Sequence, residues 1–308
     1  MGEPNGQWSR EEHQRVEPLR KGEVIEGHRV LDELGRGAAS IIYLAQDEKT
    51  KQIYALKHVK RETPKDQRFL EQAEYEYKVA SKLDHPNIRK IRRMMKRKQL
   101  LTVKDLFLVM ELVDGVSMES KPPQTFDEAL SVFQQVALAL GHMHECGFVH
   151  ADMKPNNVVV SPDGVVKIID LGQSCAIGTV KPRIQGTPDY IAPEQVHRRA
   201  ITPKTDIYNL GATMYAVLTG ERVPTALADD NSLMGSVTDS MIEKPKPVIE
   251  HNPRVHPKLD EVIMQCVEVD PDKRPESMAF VADRLNLVQG IIRAESERAS
   301  STDPSPTR

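Results

Sequence analysis

The sequence predicts an α+β fold, with a β-rich N-terminal part holding one main helix and a larger helical part after it. Three observations predict it. From about Val24 to Glu111, short apolar alternations are broken by turn residues, the pattern of half-buried strands. One stretch there, Asp66 to Leu83, instead lacks Gly and Pro and carries Phe69, Leu70, Ala73, Tyr77, Ala80 and Leu83 at helical spacing. Beyond residue 115 helical patterns dominate, led by Phe126 to His144 with Leu130, Phe133, Val136, Ala137, Leu140 and Met143 on one face.

Composition narrows the class. With 308 residues, 39% of them hydrophobic, the chain has material for one large domain or two lobes. Its 42 basic residues nearly balance 45 acidic ones, so bulk charge argues for neither nucleic acid nor an acidic membrane as the main partner. Cys146, Cys175 and Cys266 are far apart and form no C-x-x-C, as expected of free thiols in a reducing compartment. There is no apolar run long enough for a membrane span and no signal-peptide core, so a cytoplasmic address is expected. Residues 1–24 and 292–308 are too polar to bury anything and are expected to be disordered tails.

Taken in order, Val30 to Leu34 reads as a strand running into Gly35-Arg36-Gly37-Ala38-Ala39-Ser40, with a second strand from Ile41. Backbone amides in such a turn approach phosphates closely, although hairpins also use Gly-x-Gly for steric reasons alone. Ile53 to Val59 alternates as a strand with Ala55 and Lys57 on one face. Arg89 to Lys98 holds seven basic residues in ten; it reads as two edge strands with a solvated turn and a candidate dock for an acidic partner. Leu106 to Glu111 is an apolar strand ending in Leu112-Val113-Asp114-Gly115. The helix from Phe126 stops at Gly147 and delivers the chain to His150. Thr219 to Pro253 is expected to be loop with one short helix, and Leu259 to Val267 and Met278 to Val288 to be helices.

Most of the chemistry lies between His150 and Gly172. Two apolar runs, Val158 to Val160 and Val165 to Ile169, flank a Ser161-Pro162-Asp163-Gly164 turn, a hairpin signal. Asp152, Lys154 and Asn157 stand at the entrance of the first run and Asp170 at the exit of the second, so the turn brings all four to one end. Two acids and a carboxamide for a hard cation, with a lysine for phosphate charge, suit phosphoryl transfer.

His150-x-Asp152-x-Lys154-x-x-Asn157 followed by Asp170-x-Gly172 resembles the catalytic and metal-binding loops of the eukaryotic-type (Hanks-type) serine/threonine protein kinases. Gly186 to Glu194 resembles the end of their activation segment, in wording most like bacterial members. The resemblance covers about residues 25–291. It implies a bilobal protein-kinase-like fold with a five-stranded small lobe at about 25–110, a hinge at 111–115 and a helical lobe at 116–291. It also implies ATP with Mg2+, or Mn2+, as cofactors and proteins as substrates, with no nucleic acid and no membrane span.

Roles follow from the same resemblance. Asp152 would accept the proton of the attacking hydroxyl, Lys154 would neutralise the transferring phosphoryl, and Asn157 and Asp170 would hold the metal. ATP would meet Gly35, Arg36, Gly37, Ala38, Ala39, Ser40 and Ile42 of the glycine loop, then Ala55, Lys57, Met110, Glu111, Val113 and Val159. Glu76 would pair with Lys57, with Glu71 and Glu74 as competitors on the same helix. Asp206 would hold the catalytic loop and Arg274 would pair with Glu194. Ser40 replaces the third loop glycine, and Ala151 replaces the arginine that in many relatives binds an activation-loop phosphate, which implies weaker dependence on phosphorylation. An active kinase is favoured over a pseudokinase scaffold because no motif residue is lost. It is favoured over a small-molecule phosphotransferase because Gly186 to Glu194 looks like a peptide platform.

Overall fold

The computed structural model describes residues 17–37, 39–225, 227 and 238–301. Ala38 of the glycine loop, most of each terminal tail and part of the 219–253 region lie outside the described residues. The chain divides into two compact units, one drawn from residues 1–84, 88–114 and 170–172, the other from 85–87, 115–169 and 173–308.

The first unit is an antiparallel sheet with one long helix. Its strands are β1 (Val24–Ile25), β2 (His28–Gly37), β3 (Ser40–Asp47), β4 (Ile53–Lys60), β5 (Ile91–Gln99) and β6 (Thr102–Glu111), with α1 (Gln67–Ala80) between β4 and β5. The spatial order is β1-β2-β3-β4-β6-β5, so the sheet has six strands rather than the expected five, and β5 forms an edge. Side-chain alternation gives the sheet two apolar faces. On one, Ile25, Val30, Ile41, Tyr43, Ala45, Leu56, Phe107 and Val109 make a core. Lys57 and the fully buried Leu106, Leu108 and Met110 lie on the other, towards α1, which packs on β4, β5 and β6.

Two sequence expectations need correction here. Residues 17–24 do not all belong to a loose tail, because Leu19 packs on the first core and its amide donates to the Tyr43 hydroxyl at 2.9 Å. The Arg89–Lys98 stretch is not two strands around a turn; it leads into the single strand β5, and the turn comes later, between Gln99 and Thr102. Periodicity missed this because charged side chains of β5 lie along an exposed edge strand, where no apolar alternation marks the register.

The second unit is mainly helical. It begins with β7 (Val116–Ser117), α2 (Phe126–Glu145), β8 (Phe148–Val149), β9 (Val158–Val160), β10 (Val166–Ile168) and β11 (Cys175–Ala176). It continues with α3 (Pro193–Val196), α4 (Pro203–Thr219), α5 (Val248–His251), α6 (Pro257–Cys266) and α7 (Met278–Ser301). The Thr125 hydroxyl accepts from the Glu128 amide at 3.1 Å and starts α2. Val158–Val160 pairs with Val166–Ile168 as the hairpin signal required, and β7 adds to its other side. Helix α4 touches α6 so closely that a Cβ on Gly211 would stand 2.6 Å from Cys266 Cβ.

α7 runs on to Ser301, ten residues past the expected end of the domain at 291. The tertiary reason lies on α2. Arg293 grips Asp127 with two hydrogen bonds of 2.6 and 2.9 Å, and Gln289 donates to the same carboxylate at 3.0 Å. The following Ala, Glu and Arg residues are good helix formers, so a docked α7 continues where burial alone would have let it stop.

Candidate active site

In the first unit, strand pairing sets the nucleotide-facing candidates in register. Gly37 pairs with Ser40 and Gly35 with Ile42 at the β2–β3 turn, Ile42 with Lys57, and Ala55 with Met110. A Cβ on Gly37 would meet the Ser40 hydroxyl at 2.9 Å, which explains a residue without a side chain beside that serine. The Arg36 guanidinium closes on Glu33 at 2.7 and 2.8 Å, so its backbone amide rather than its charge is what could meet a phosphate. Met110 is fully buried, Val113 half-buried, and Glu111 Oε2 accepts from the Lys90 amide at 3.1 Å.

Lys57 Nζ lies 2.7 Å from Glu76 Oε2, so Glu76 rather than Glu71 or Glu74 is the partner. Glu74 instead pairs with Lys96 at 2.8 Å. Burial pushes the Lys57 ammonium down, but the Glu76 and Asp170 carboxylates more than offset it and hold it above its ordinary value. Glu76 Oε1 is buried without a hydrogen-bond partner.

Two residues of this unit escaped the sequence reading. Gln72, one turn before Glu76 on α1, donates from Nε2 to the Gly172 carbonyl at 2.9 Å and so ties the Asp170–Gly172 segment to the helix that carries Glu76. Its i, i+4 spacing from Glu76 was the available signal. Arg89 is not on a solvated strand. Its guanidinium is pushed down by burial, opposed by the charges of Glu76, Asp170 and Glu111, which makes it a second cation near Lys57.

In the second unit, the catalytic-loop candidates form one hydrogen-bonded cluster. Asp152 Oδ1 accepts from the Thr187 amide at 2.9 Å and the Thr187 hydroxyl at 2.8 Å. Lys154 Nζ stands 3.1 Å from Asp152 Oδ2 and donates to the Thr187 hydroxyl at 2.6 Å. Asn157 donates from Nδ2 to the Asp152 carbonyl at 2.8 Å, which leaves its Oδ1 as the atom that could meet a cation. Val159, on β9, is buried.

The loop itself is held from below. Asp206, fully buried on α4, accepts from the His150 amide at 2.8 Å, the Ala151 amide at 2.7 Å and the His144 ring at 2.8 Å. Burial pushes its carboxyl up, and the His144 hydrogen bond with the nearby imidazoles and the Ala151 amide reverses this to hold it below the ordinary carboxylate value. Ala151 is in the left-handed region, with φ 61°, and its carbonyl accepts from Gln195 Nε2 at 2.8 Å, a contact that sequence reasoning also missed. Arg274 spends its five N–H groups on Glu194 Oε1 and Oε2, at 2.8 and 3.0 Å, and on the carbonyls of Lys204, Glu268 and Val269. Lys181 Nζ donates to the Gln173 carbonyl at 2.6 Å, next to Gly172 in sequence. Burial pushes the Lys181 ammonium down, only partly countered by Cys175, Asp152 and Asp206.

The family model for the protein kinase domain matches residues 28–285. The serine/threonine-protein kinase PrkC of Bacillus subtilis is 29% identical over 294 residues, covering 90% of this chain and 44% of that protein. PknA of Mycobacterium tuberculosis is 30% identical over 294 residues, covering 92% of this chain and 66% of that protein. The chain therefore spans less than two thirds of either relative. The Mycobacterium tuberculosis PknI kinase domain shares the fold, with a TM-score of 0.67 at 24% identity over 88% of this chain and 99% of that one. Since the matched span takes in every motif from the glycine loop to Arg274, the chain belongs to the protein kinase domain family, on its eukaryotic-type serine/threonine side.

Proposed function

We propose that the protein transfers the γ-phosphoryl group of ATP to serine or threonine hydroxyls of protein substrates. The carrying observation is the Asp152–Lys154–Thr187 cluster. Asp152 Oδ2, the oxygen that Thr187 leaves unbonded, would take the proton of an acceptor hydroxyl, and Lys154, held by both partners, would bring positive charge to where the phosphoryl passes. Lys57, fixed by Glu76, would anchor the α/β-phosphates, and the glycine-loop amides from Gly35 to Ser40 would cover them. Ile42, Ala55, Met110, Glu111, Val113 and Val159 would surround the base.

The residues present fit a hard divalent cation. Asn157 Oδ1 and the Asp170 carboxylate are the oxygens that would hold Mg2+, or Mn2+ as a substitute, whose positive charge would offset that of the phosphates. No group of three His, Cys, Asp or Glu residues gathers into a cage among the described residues; a magnesium ion that keeps waters and substrate phosphates as ligands asks for none. Radiolabelled ATP with a mixed protein substrate, with and without chelator, tests the reading through phosphoamino-acid analysis. Phosphotyrosine as the main product, or no transfer with metal restored, overturns it.

Control belongs to the same reading. With Ala151 in place of arginine, an activation-loop phosphate lacks its usual partner, and the Lys181 bond to Gln173 supports a loop ordered without one. The Ser174 hydroxyl is buried and the Thr179 hydroxyl donates to the Ala176 carbonyl at 2.6 Å, so neither is poised for modification. A cytoplasmic address is supported by three cysteines that stay free. No helix of the described residues is long and apolar enough to cross a membrane. An acidic partner for the basic stretch is supported at Arg92, Arg97 and Lys98, which make no ion pair among the described residues, whereas Lys90 pairs with Asp84 and Lys96 with Glu74.

A further inference from the structure

The β5–β6 turn keeps two leucine side chains in water, the first of them on a backbone conformation that disfavours it. Leu100 and Leu101 fill the two positions between the paired Gln99 and Thr102 and are 95% and 97% exposed. Leu100 has φ 56°, in a two-residue turn position that Gly, Asn or Asp usually takes. The chain thus bears a backbone cost to hold two adjacent leucines at the tip of its edge hairpin, where they add nothing to either core.

Immediately behind the tip the surface is cationic. Lys98 and Lys104 flank the turn and, with Arg61 and Arg97, line a depression of about 420 Å³. Of its two acids, Glu62 pairs with Lys60 at 2.5 Å, and Asp105 bonds His58 at 2.8 Å while also feeling the charge of its cross-strand neighbour Arg97. Arg61, Arg97, Lys98 and Lys104 form no ion pair among the described residues.

Apolar outermost and cationic one step back is the order in which a protein meets a lipid leaflet, acyl boundary first and headgroup phosphates next. The apolar contact is convex and limited to two side chains, far from the roughly 1,000 Å² that a specific protein interface needs. We propose that the β5–β6 hairpin docks this domain on an anionic phospholipid surface, with Leu100 and Leu101 entering the acyl boundary and Arg61, Arg97, Lys98 and Lys104 meeting the phosphates. This narrows the acidic partner of the basic stretch to lipid and stands independently of the phosphotransfer reading.

Co-sedimentation of the full chain with vesicles tests it, comparing phosphatidylcholine alone with phosphatidylcholine containing phosphatidylglycerol. The wild type should partition onto the anionic vesicles and leave them as salt is raised. Leu100→Ser with Leu101→Ser, and separately Lys98→Glu with Lys104→Glu, should each weaken partitioning about tenfold or more. Unchanged melting temperatures would show that these exposed variants fold. Equal partitioning on neutral and anionic vesicles, or variants that sediment like the wild type, overturns the proposal. So does a wild type that ignores all vesicles yet is retained by immobilised polyglutamate, which would make the hairpin a protein dock.

Discussion

Asp152 is held by its neighbours without being sealed by them. Replacing it with Asn keeps the shape and the Thr187 contact but removes the proposed proton acceptor, so turnover should fall about a hundredfold or more, about 3 kcal/mol of barrier, while ATP affinity measured by calorimetry stays within about threefold. A variant with half the wild-type kcat would remove Asp152 from its role. Lys181 tests the control reading at the same scale. Lys181→Met deletes the bond to the Gln173 carbonyl and should lower kcat/KM about tenfold, whereas Ser174→Ala with Thr179→Ala should leave unphosphorylated protein near wild type. A hundredfold loss in the double variant relative to phosphorylated wild type would show that phosphate orders this loop after all. Asp152 was legible as a residue in the sequence. Thr187 stands 35 positions from it with no periodicity to link them, so that partner was legible only through the family resemblance, and the Gln173 partner of Lys181 not at all.

Helix α1 was legible as an element because its apolar spacing is strong, and Glu76 could be singled out there only alongside Glu71 and Glu74. The choice between three carboxylates on one charged helix depends on which of them turns to Lys57, and that rotation is set by Leu70, Ala73 and Val79 packing against the sheet. The second contact, Gln72 to Gly172, makes α1 a brace for the Asp170 segment as well. Gln72→Ala removes one neutral hydrogen bond, so global stability should drop by only about 1 kcal/mol by denaturant titration. Turnover should suffer more, about fivefold to tenfold in kcat, because the Asp170 segment loses its tether to the helix that orders Lys57. Equal small losses in stability and kcat for Gln72→Ala would reduce the contact to packing.

At the scale of the molecule, stability and function draw on the same buried ions. Arg274→Met strands the Glu194 carboxylate without its cation and should cost about 3–5 kcal/mol, seen as a lowered unfolding midpoint. Adding Glu194→Gln should recover part of that loss; no recovery would mean that the lost carbonyl contacts of Arg274 dominate. Asp206 predicts an acid limb. Its folded carboxyl lies below its ordinary value, so its stabilisation is fully present above the unfolded pKa of about 3.9 and is lost as pH falls through the folded value. The stability gap between wild type and Asp206→Asn, measured by urea unfolding from neutral to acid pH, should therefore close only below about pH 4. A gap constant to the lowest pH would show that the aspartate acts by shape rather than charge. The sequence by itself determined the α+β class, most of the strands and the main helices in their order along the chain and, through the family resemblance, the motif residues, because local periodicity, turn chemistry and motif spacing are properties of neighbours along the chain. Tertiary structure alone decided that α7 continues to Ser301, that Leu19 joins the sheet core, that Arg89 is half-buried under the charge of Glu76, and that the leucines of the β5–β6 turn stand in water. Each of these depends on what lies across space, such as Asp127 for Arg293 or Tyr43 for Leu19, and a contact between residues far apart in the chain leaves no period to read.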